Sequence, residues 1–468
     1  AGGEARVRAI RGLKLEAICH TPLVEQSDRP EGPYVTAYGE ITLWRDVMNG
    51  REYREERQRR MFFEDWTPFP SVYFTTTESY RSVRGKWGAG DLRSWEEGQE
   101  ALALSPERLL ITACDAPDLR ADGQETFQGM AQDRLRFTWR QRKVTLLLNP
   151  HTHLPTRLEV VRTHPESLFL HLWGDVATQT TFGNWQLVQG VALPLLQVSS
   201  TLGWPGRSLT ILRATLDPSD APWPTLEENL RPAAAQVVRS GPSAIAFRPN
   251  GQTLAQGVVF HAGPWNTTLV SQGDGVVVLE APLPSEYSEG VIQEAARAFP
   301  DQPLKAVVST SDAWPHLSGV RAYAARRLPI YGLDLNQSLL NRMLDAPHRL
   351  APDAWERTKA ADPRLKAQLI SVSAKTVIGT GPNRLELYPI RGQSGERMLM
   401  AYFPEHRLLY GSDLVQRNPR GGFLMPIYLV DLARAVAREG LQVDTVFAMH
   451  LGPTPWAQVL EAIAQAQK

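Results

Sequence analysis

Two imidazoles spaced two residues apart can share a metal ion, and the chain offers one such pair, His151-Thr-His153. The pair lies in Asn149-Pro-His-Thr-His-Leu-Pro155, a proline-flanked turn between two strand-like runs, so a solvated turn is expected there and not a ligand set. Arg54 to Arg60 alternates basic residues with Glu on a presumed strand, which reads as a solvated face and not a nucleic-acid patch. Asn266-Thr-Thr has the form of a glycosylation acceptor but falls on an expected strand. His20, His164, His171, His261, His348 and His406 have no partner pattern and are expected on the surface or in packing. A nucleophile elbow, a Walker loop and a dinucleotide fingerprint are all absent.

The chain that must position any such chemistry has 468 residues, more than one ordinary core can serve, which suggests two domains. Lys plus Arg and Asp plus Glu both number 50, which argues against binding nucleic acid or anionic membrane through overall charge. With 43% hydrophobic and 21% charged residues the composition is that of a soluble globular protein. No apolar run approaches the roughly 20 residues that would span a bilayer. The opening Ala1-Gly-Gly looks like the residue side of a signal-peptidase cut, so a periplasmic or secreted protein is expected. In such a compartment Cys19 and Cys114 could pair; two buried free thiols fit the sequence equally well.

Residues 1–218 read mostly as strands: Val35 to Trp44, Glu52 to Phe63, Leu135 to Leu148, Thr156 to Val161, Leu168 to Leu172 and Leu209 to Ala214. Helices are expected over Leu92 to Leu104 and after Ser105, where Ser-Pro-Glu-Arg looks like a cap with Pro at the first helical position. The proline-rich run Asp217-Pro-Ser-Asp-Ala-Pro-Trp-Pro leads into residues 219–236, which are expected to be a stiff linker. Within 237–468, strands come first and then alternate with helices. Leu254 to His261, Asn266 to Ser271, Gly275 to Glu280 and Ala306 to Thr310 are strands, and Ser285 to Ala298 is an amphipathic helix. Asn336 to Ala361 is mostly helical, then strands return at Leu369 to Val377, Arg384 to Pro389, Arg397 to Phe403 and Arg407 to Tyr410. Helix Tyr428 to Glu439, strand Thr445 to Met449 and helix Pro455 to Gln467 end the chain. This order implies two sheets covered outside by helices.

Four segments of 237–468 resemble the metallo-β-lactamase superfamily in their order. Asn266-Thr-Thr-Leu-Val-Ser to Val-Leu-Glu280 looks like its opening strands. Lys305-Ala-Val-Val-Ser-Thr, then Ser311-Asp-Ala-Trp-Pro-His316, resembles the strand and Thr-His-x-His-x-Asp-His signature. Met398 to Asp413 resembles the strand pair ending in a bridging Asp, and Phe447-Ala-Met-His450 the final His segment. The resemblance implies an αββα sandwich of the metallo-β-lactamase type. Over about 80 residues of the first half, Lys143 to Val161 and Phe182 to Pro194 resemble the periplasmic lipoprotein-carrier (LolA-like) half-barrel. That implies a mostly-β curved sheet with a few helices.

Carried over position by position, the superfamily's ligand set is damaged here. Ser311, Ala313 and Ser394 stand where the first site has His, and Pro315 stands where the signature has Asp. His316, Asp413 and His450 stand where the second site's ligands belong, and Asp312 is a candidate stand-in base. The resemblance therefore implies either no cofactor or a single Zn at the residual site. Two functions remain open. One is an exported, non-catalytic binding or assembly component, with a protein partner or an apolar or acyl ligand on the N-terminal domain. The other is a mono-zinc hydrolase of an ester, amide or phosphoester.

Overall fold

A computed structural model describes residues 2–27, 29–60, 63–242, 245–418 and 421–466. The expectations that touch Ala1, Met61, Phe62, Ser243 and Gln467 lie outside those residues there. The chain divides into two compact units. The first comprises 1–27, 31–167 and 175–243; the second comprises 28–30, 168–174 and 244–468.

In the first unit the described strands form one 14-stranded sheet. Its middle runs Arg51–Arg60, Thr36–Asp46, Gly12–Pro22, Trp204–Leu216, Val191–Thr201 and Val176–Val188, each antiparallel to the next. Along Gly12–Pro22 the side chains alternate in and out, with Leu13, Leu15, Ala17 and Cys19 buried and Ile18 and His20 exposed. Ile111 joins the core of these inward residues, and Leu104, Leu109 and Ala113 pack with Phe137, Leu146 and Val160. These helical segments cover part of the sheet's hydrophobic face, which must be shielded from water. Outward, Ile18, Tyr38, Leu196 and Val198 remain exposed on neighbouring strands.

Four local expectations change in this unit, the first being that Leu135 to Leu148 is not one strand but lies in the antiparallel hairpin of Met130–Trp139 and Arg142–Leu148. Ser105 does not cap the following helix: its hydroxyl donates back to Leu102 O, and the helix spans Leu109–Asp115. The proline-rich stretch is no free linker. Trp223, Leu226 and Leu230 pack with Trp44, Tyr53 and Tyr73, and helix Arg231–Ser240 buries Ala234 in the same cluster. The Arg51 guanidinium lies 4.2 Å from the Trp223 ring centroid, adding a cation–π contact to that apolar anchoring. Cys19 and Cys114 are both free, one buried and the other exposed, so no disulfide joins them.

The second unit is a four-layer αββα sandwich. One sheet runs Gln252–Ala255, Val258–His261, Thr267–Ser271, Val276–Leu279, Leu304–Ser309, Ile330–Leu333 and Leu369–Val372. It is antiparallel to Val276–Leu279 and parallel thereafter, since Ser285–Ala298 and later helices carry the chain back between parallel strands. The other sheet runs Thr376–Ile378, Leu385–Pro389, Leu399–Phe403, Leu408–Tyr410, Thr445–Ala448 and Leu451–Pro455. Val277, Leu279, Val308 and Leu333 from one sheet meet Leu387, Ala401, Phe403 and Phe447 from the other in one dry core. Helices Pro426–Arg438 and Trp456–Ala466 bury Leu429, Leu432 and Val459 on the second sheet's outer side.

The apolar run read as one strand, Leu369 to Val377, breaks after Val372, and its two pieces join different sheets. Leu168 to Leu172 forms no strand. It leads into a short 3-10 turn, His171–Trp173, that belongs to the second unit. There the Trp173 ring lies edge-on to Trp314 at 5.1 Å, and Leu172 O faces His348 Nε2 at 3.1 Å. A 3.6- or 2-residue period reports which face is buried, not against what, so neither event had a local signal.

Candidate metal centre

Every strand that feeds the candidate site ends at the same rim of the sandwich. Leu304–Ser309 runs out into Thr310 to Ala313 and the short helix Trp314–Leu317, which carries His316. Leu408–Tyr410 runs out to Asp413, and His450 sits between Thr445–Ala448 and Leu451–Pro455. The loops are tied together by backbone bonds: Leu399 N donates to Thr310 O, Met449 N to Ser412 O, and Asn266 N to Met449 O. Two of these ties lie one residue from a candidate ligand, Ser412 beside Asp413 and Met449 beside His450, so the backbone sets where those side chains start.

His316, Asp413 and His450 come together with one potential ligand atom each, all within 4.8 Å of one another. His450 Nε2 lies 3.1 Å from Asp413 Oδ1, and His316 Nδ1 lies 4.0 Å from Asp413 Oδ2. The two imidazole centroids are 5.3 Å apart, and the Trp265 ring lies 6.2 and 6.1 Å from them. Gln416 Nε2 donates to Asp413 Oδ1 at 2.9 Å. His316 is buried, while the Asp413 and His450 side chains keep 20% and 26% of their surface, so solvent reaches the cluster from their side.

Burial of His316 lowers its pKa to about 4, overriding the attraction of Asp413. Burial works the other way on Asp413, yet His316, a hydrogen bond from His450 and one from Gln416 hold its carboxyl below the ordinary range. Near neutral pH the cluster therefore presents a neutral imidazole beside a carboxylate. Those are the protonation states in which these groups coordinate metal.

The other residues singled out in the sequence fall around this cluster. Ser311 is buried, and its hydroxyl lies 3.0 Å from His316 Nδ1. Ala313 caps the short helix, and Pro315, inside it, accepts Leu283 N at 2.7 Å. Asp312 is half-buried in the same loop and is not one of the three clustered donors. Ser394 is held elsewhere: its amide donates to Asp431 Oδ2 at 2.6 Å. His151 and His153 are exposed in their turn, where the Asn149 side chain accepts the amides of His151 and Thr152. Asn266 is buried and donates to Ala448 O at 2.9 Å, which leaves its side chain no room for a glycan.

Sequence reasoning passed over Glu280, which ends the wholly buried strand Val276–Leu279 with φ +78°, a left-handed conformation rare for a side chain. Its carboxyl accepts the Thr310 hydroxyl and, at 3.2 Å, the Thr310 amide; Thr310 Oγ1 in turn lies 2.8 Å from Ser412 Oγ. Complete burial pushes the Glu280 pKa up to about 8. A lone carboxylate closing a run of four buried apolar residues was the available signal. Trp265 and Gln416 had none, since only the tertiary fold brings them to the rim.

The chain matches no family model and no curated protein sequence. Among solved structures it is similar to a metallo-β-lactamase from Pontibacter korlensis. The identity is 16%, the match covers 47% of this chain and 100% of that one, and the TM-score is 0.37. It is also similar to a metallo-β-lactamase from Erythrobacter litoralis with β-mercaptoethanol in its active site. That match has 16% identity and a TM-score of 0.35, and covers 46% of this chain and 95% of that one. Fold and site together define the second unit as an αββα domain with a His–Asp–His cluster at the rim of its sheets.

Proposed function

We propose that the second unit is a metallo-β-lactamase-type domain holding one Zn²⁺ through His316, Asp413 and His450, and that the protein binds and does not hydrolyse. The observation that carries this reading is the convergence of those three donors within 4.8 Å. The donor set fits the ion: two imidazoles and a carboxylate are a recognised zinc triad with a fourth position left open. A zinc ion there would supply Lewis acidity. Asp413 is kept ionised and aimed by His450 and Gln416, His316 is kept neutral by burial, and Trp265 walls one side.

A binding role is favoured over catalysis by what surrounds the cluster. Ser311, Ala313, Pro315 and Ser394 offer neither imidazole nor carboxylate, and no second group of three metal-ligating side chains occurs among the described residues. Ser394 is also engaged by Asp431. The exposed Ile18, Tyr38, Leu196 and Val198 on the first unit's sheet support contact with other molecules. The second reading, a mono-zinc hydrolase with Asp312 as base, is favoured by the partial exposure of Asp413 and His450.

Zinc content after purification without chelator tests the metal site. One ion per chain is expected, falling to background in His316→Ala with circular dichroism unchanged. Zinc at about 100 times its Kd should raise the unfolding free energy by about 2.7 kcal/mol. A parent protein with no zinc and no zinc-dependent stabilisation sinks the reading. Turnover of ester, amide or phosphoester substrates by the zinc-loaded protein, lost in Asp312→Asn, would replace it with the hydrolase.

A further inference from the structure

The Ser311 hydroxyl and Asp413 address the same atom of His316. Ser311 Oγ lies 3.0 Å from Nδ1, and Asp413 Oδ2 lies 4.0 Å from that nitrogen. An imidazole nitrogen has a single in-plane site for a partner, so Nδ1 can hold either the hydroxyl or an ion shared with Asp413. Whichever atom carries the hydrogen, the bond occupies that site.

Neither partner is free to drift. Ser311 and His316 are 1% and 3% exposed. Thr310, next to Ser311, is bound through its amide and hydroxyl to Glu280, through its carbonyl to Leu399 N, and through its hydroxyl to Ser412. The backbone that carries the imidazole is held by His316 N donating to Ala313 O at 2.9 Å and by Leu283 N donating to Pro315 O in the same turn. The competition for Nδ1 is therefore built into the loop.

Resting on the metal-site reading above, we propose that Ser311 is a positioning residue that acts as a latch on His316 and lowers the affinity of the cluster for a divalent ion. In the metal-free state it satisfies a buried ring nitrogen that would otherwise cost free energy, so the unit stays folded without metal. On binding, the hydroxyl must yield Nδ1. The consequence is a site that exchanges its ion instead of retaining it through the life of the fold.

The test is competition for Zn²⁺ against a chelating dye, using the full chain and its Ser311→Ala and Ser311→Thr variants. Removing one hydrogen bond that opposes the ion should tighten zinc binding roughly three- to tenfold in Ser311→Ala. Ser311→Thr, which keeps the hydroxyl, should match the parent. Metal-free Ser311→Ala should also melt below the parent, with zinc reversing the order. Unchanged affinity in Ser311→Ala overturns the latch while leaving the metal site standing. Weaker affinity overturns it too, and shows the ion on Nε2 with Ser311 supporting it from Nδ1. If neither the parent nor Ser311→Ala takes up zinc, the metal-site reading falls first and the latch with it.

Discussion

Buried charge is handled in opposite ways in the two units. In the first, Arg45 is bonded to Glu52 and Glu107 at 2.8 Å each, with all three side chains at most 9% exposed. Arg142 and Arg162 share Glu100, and Arg162 also binds Glu166 at 2.8 Å. Each ion there meets its opposite, and the groups serve as cross-links. At the rim of the second unit, Glu280 and His316 are just as buried, but among the described residues no ion pair answers Glu280, and His316 meets only Asp413, 4.0 Å away. Both are driven toward their neutral forms. The difference teaches that burial alone does not mark a functional group. Burial of a titratable group without a close opposite charge, in a cluster of several such donors, is what singles out this rim as the candidate site.

The contrast breaks most sharply at Arg45. Replacing it with Ala strands two carboxylates in the core, and denaturant unfolding should show a loss of about 3–5 kcal/mol. A loss under 1 kcal/mol would mean that these ions are not coupled as the distances imply.

Glu280 sharpens the comparison from the other side. Its folded pKa, about 8, lies above the ordinary carboxyl value of 4.5, so between those values the native state binds more protons than the unfolded one. Stability must then fall as pH rises through that window. His316, with a folded pKa of about 4 against 6.5, has the opposite sign and offsets this only below pH 6.5. From pH 6.5 to 8 the metal-free protein should lose up to about 2 kcal/mol that Glu280→Gln does not lose. Parallel pH–stability curves for the two proteins would refute it.

The smallest effect concerns the thiols. Because Cys19 and Cys114 are free, reductant should leave the melting temperature unchanged within error. A fall of several degrees would show a bond between them.

Much of the second unit was legible residue by residue. The apolar run ending at Glu280, the strand before Ser311 and the amphipathic helix Ser285–Ala298 appear where their periodicity puts them, since which side of an element is apolar is a local property. The three candidate ligands were legible only through the resemblance of the motif order to a known superfamily. Nothing in their own neighbourhoods distinguishes His316 from His261, which is also buried, lies against Phe247 and joins no cluster among the described residues. In the first unit Thr36–Asp46 and Pro155–Arg162 fall where alternation put them, whereas Leu135 to Leu148 folds as a hairpin, Gly12–Pro22 was not read as a strand, and the docking of the proline-rich stretch was not anticipated.

What the amino-acid sequence determined by itself is the menu of parts: strands and helices with their apolar sides, and the absence of imidazole at positions 311, 313 and 394. The tertiary structure alone decided that Leu369 to Val377 divides between two sheets, that residues 168–174 join the second unit, and that Ser311 rather than a ligand faces His316 Nδ1. The reason is physical. Periodicity is set by a residue's own backbone geometry, whereas a pairing across 100 residues depends on which packing of whole sheets buries the most apolar surface.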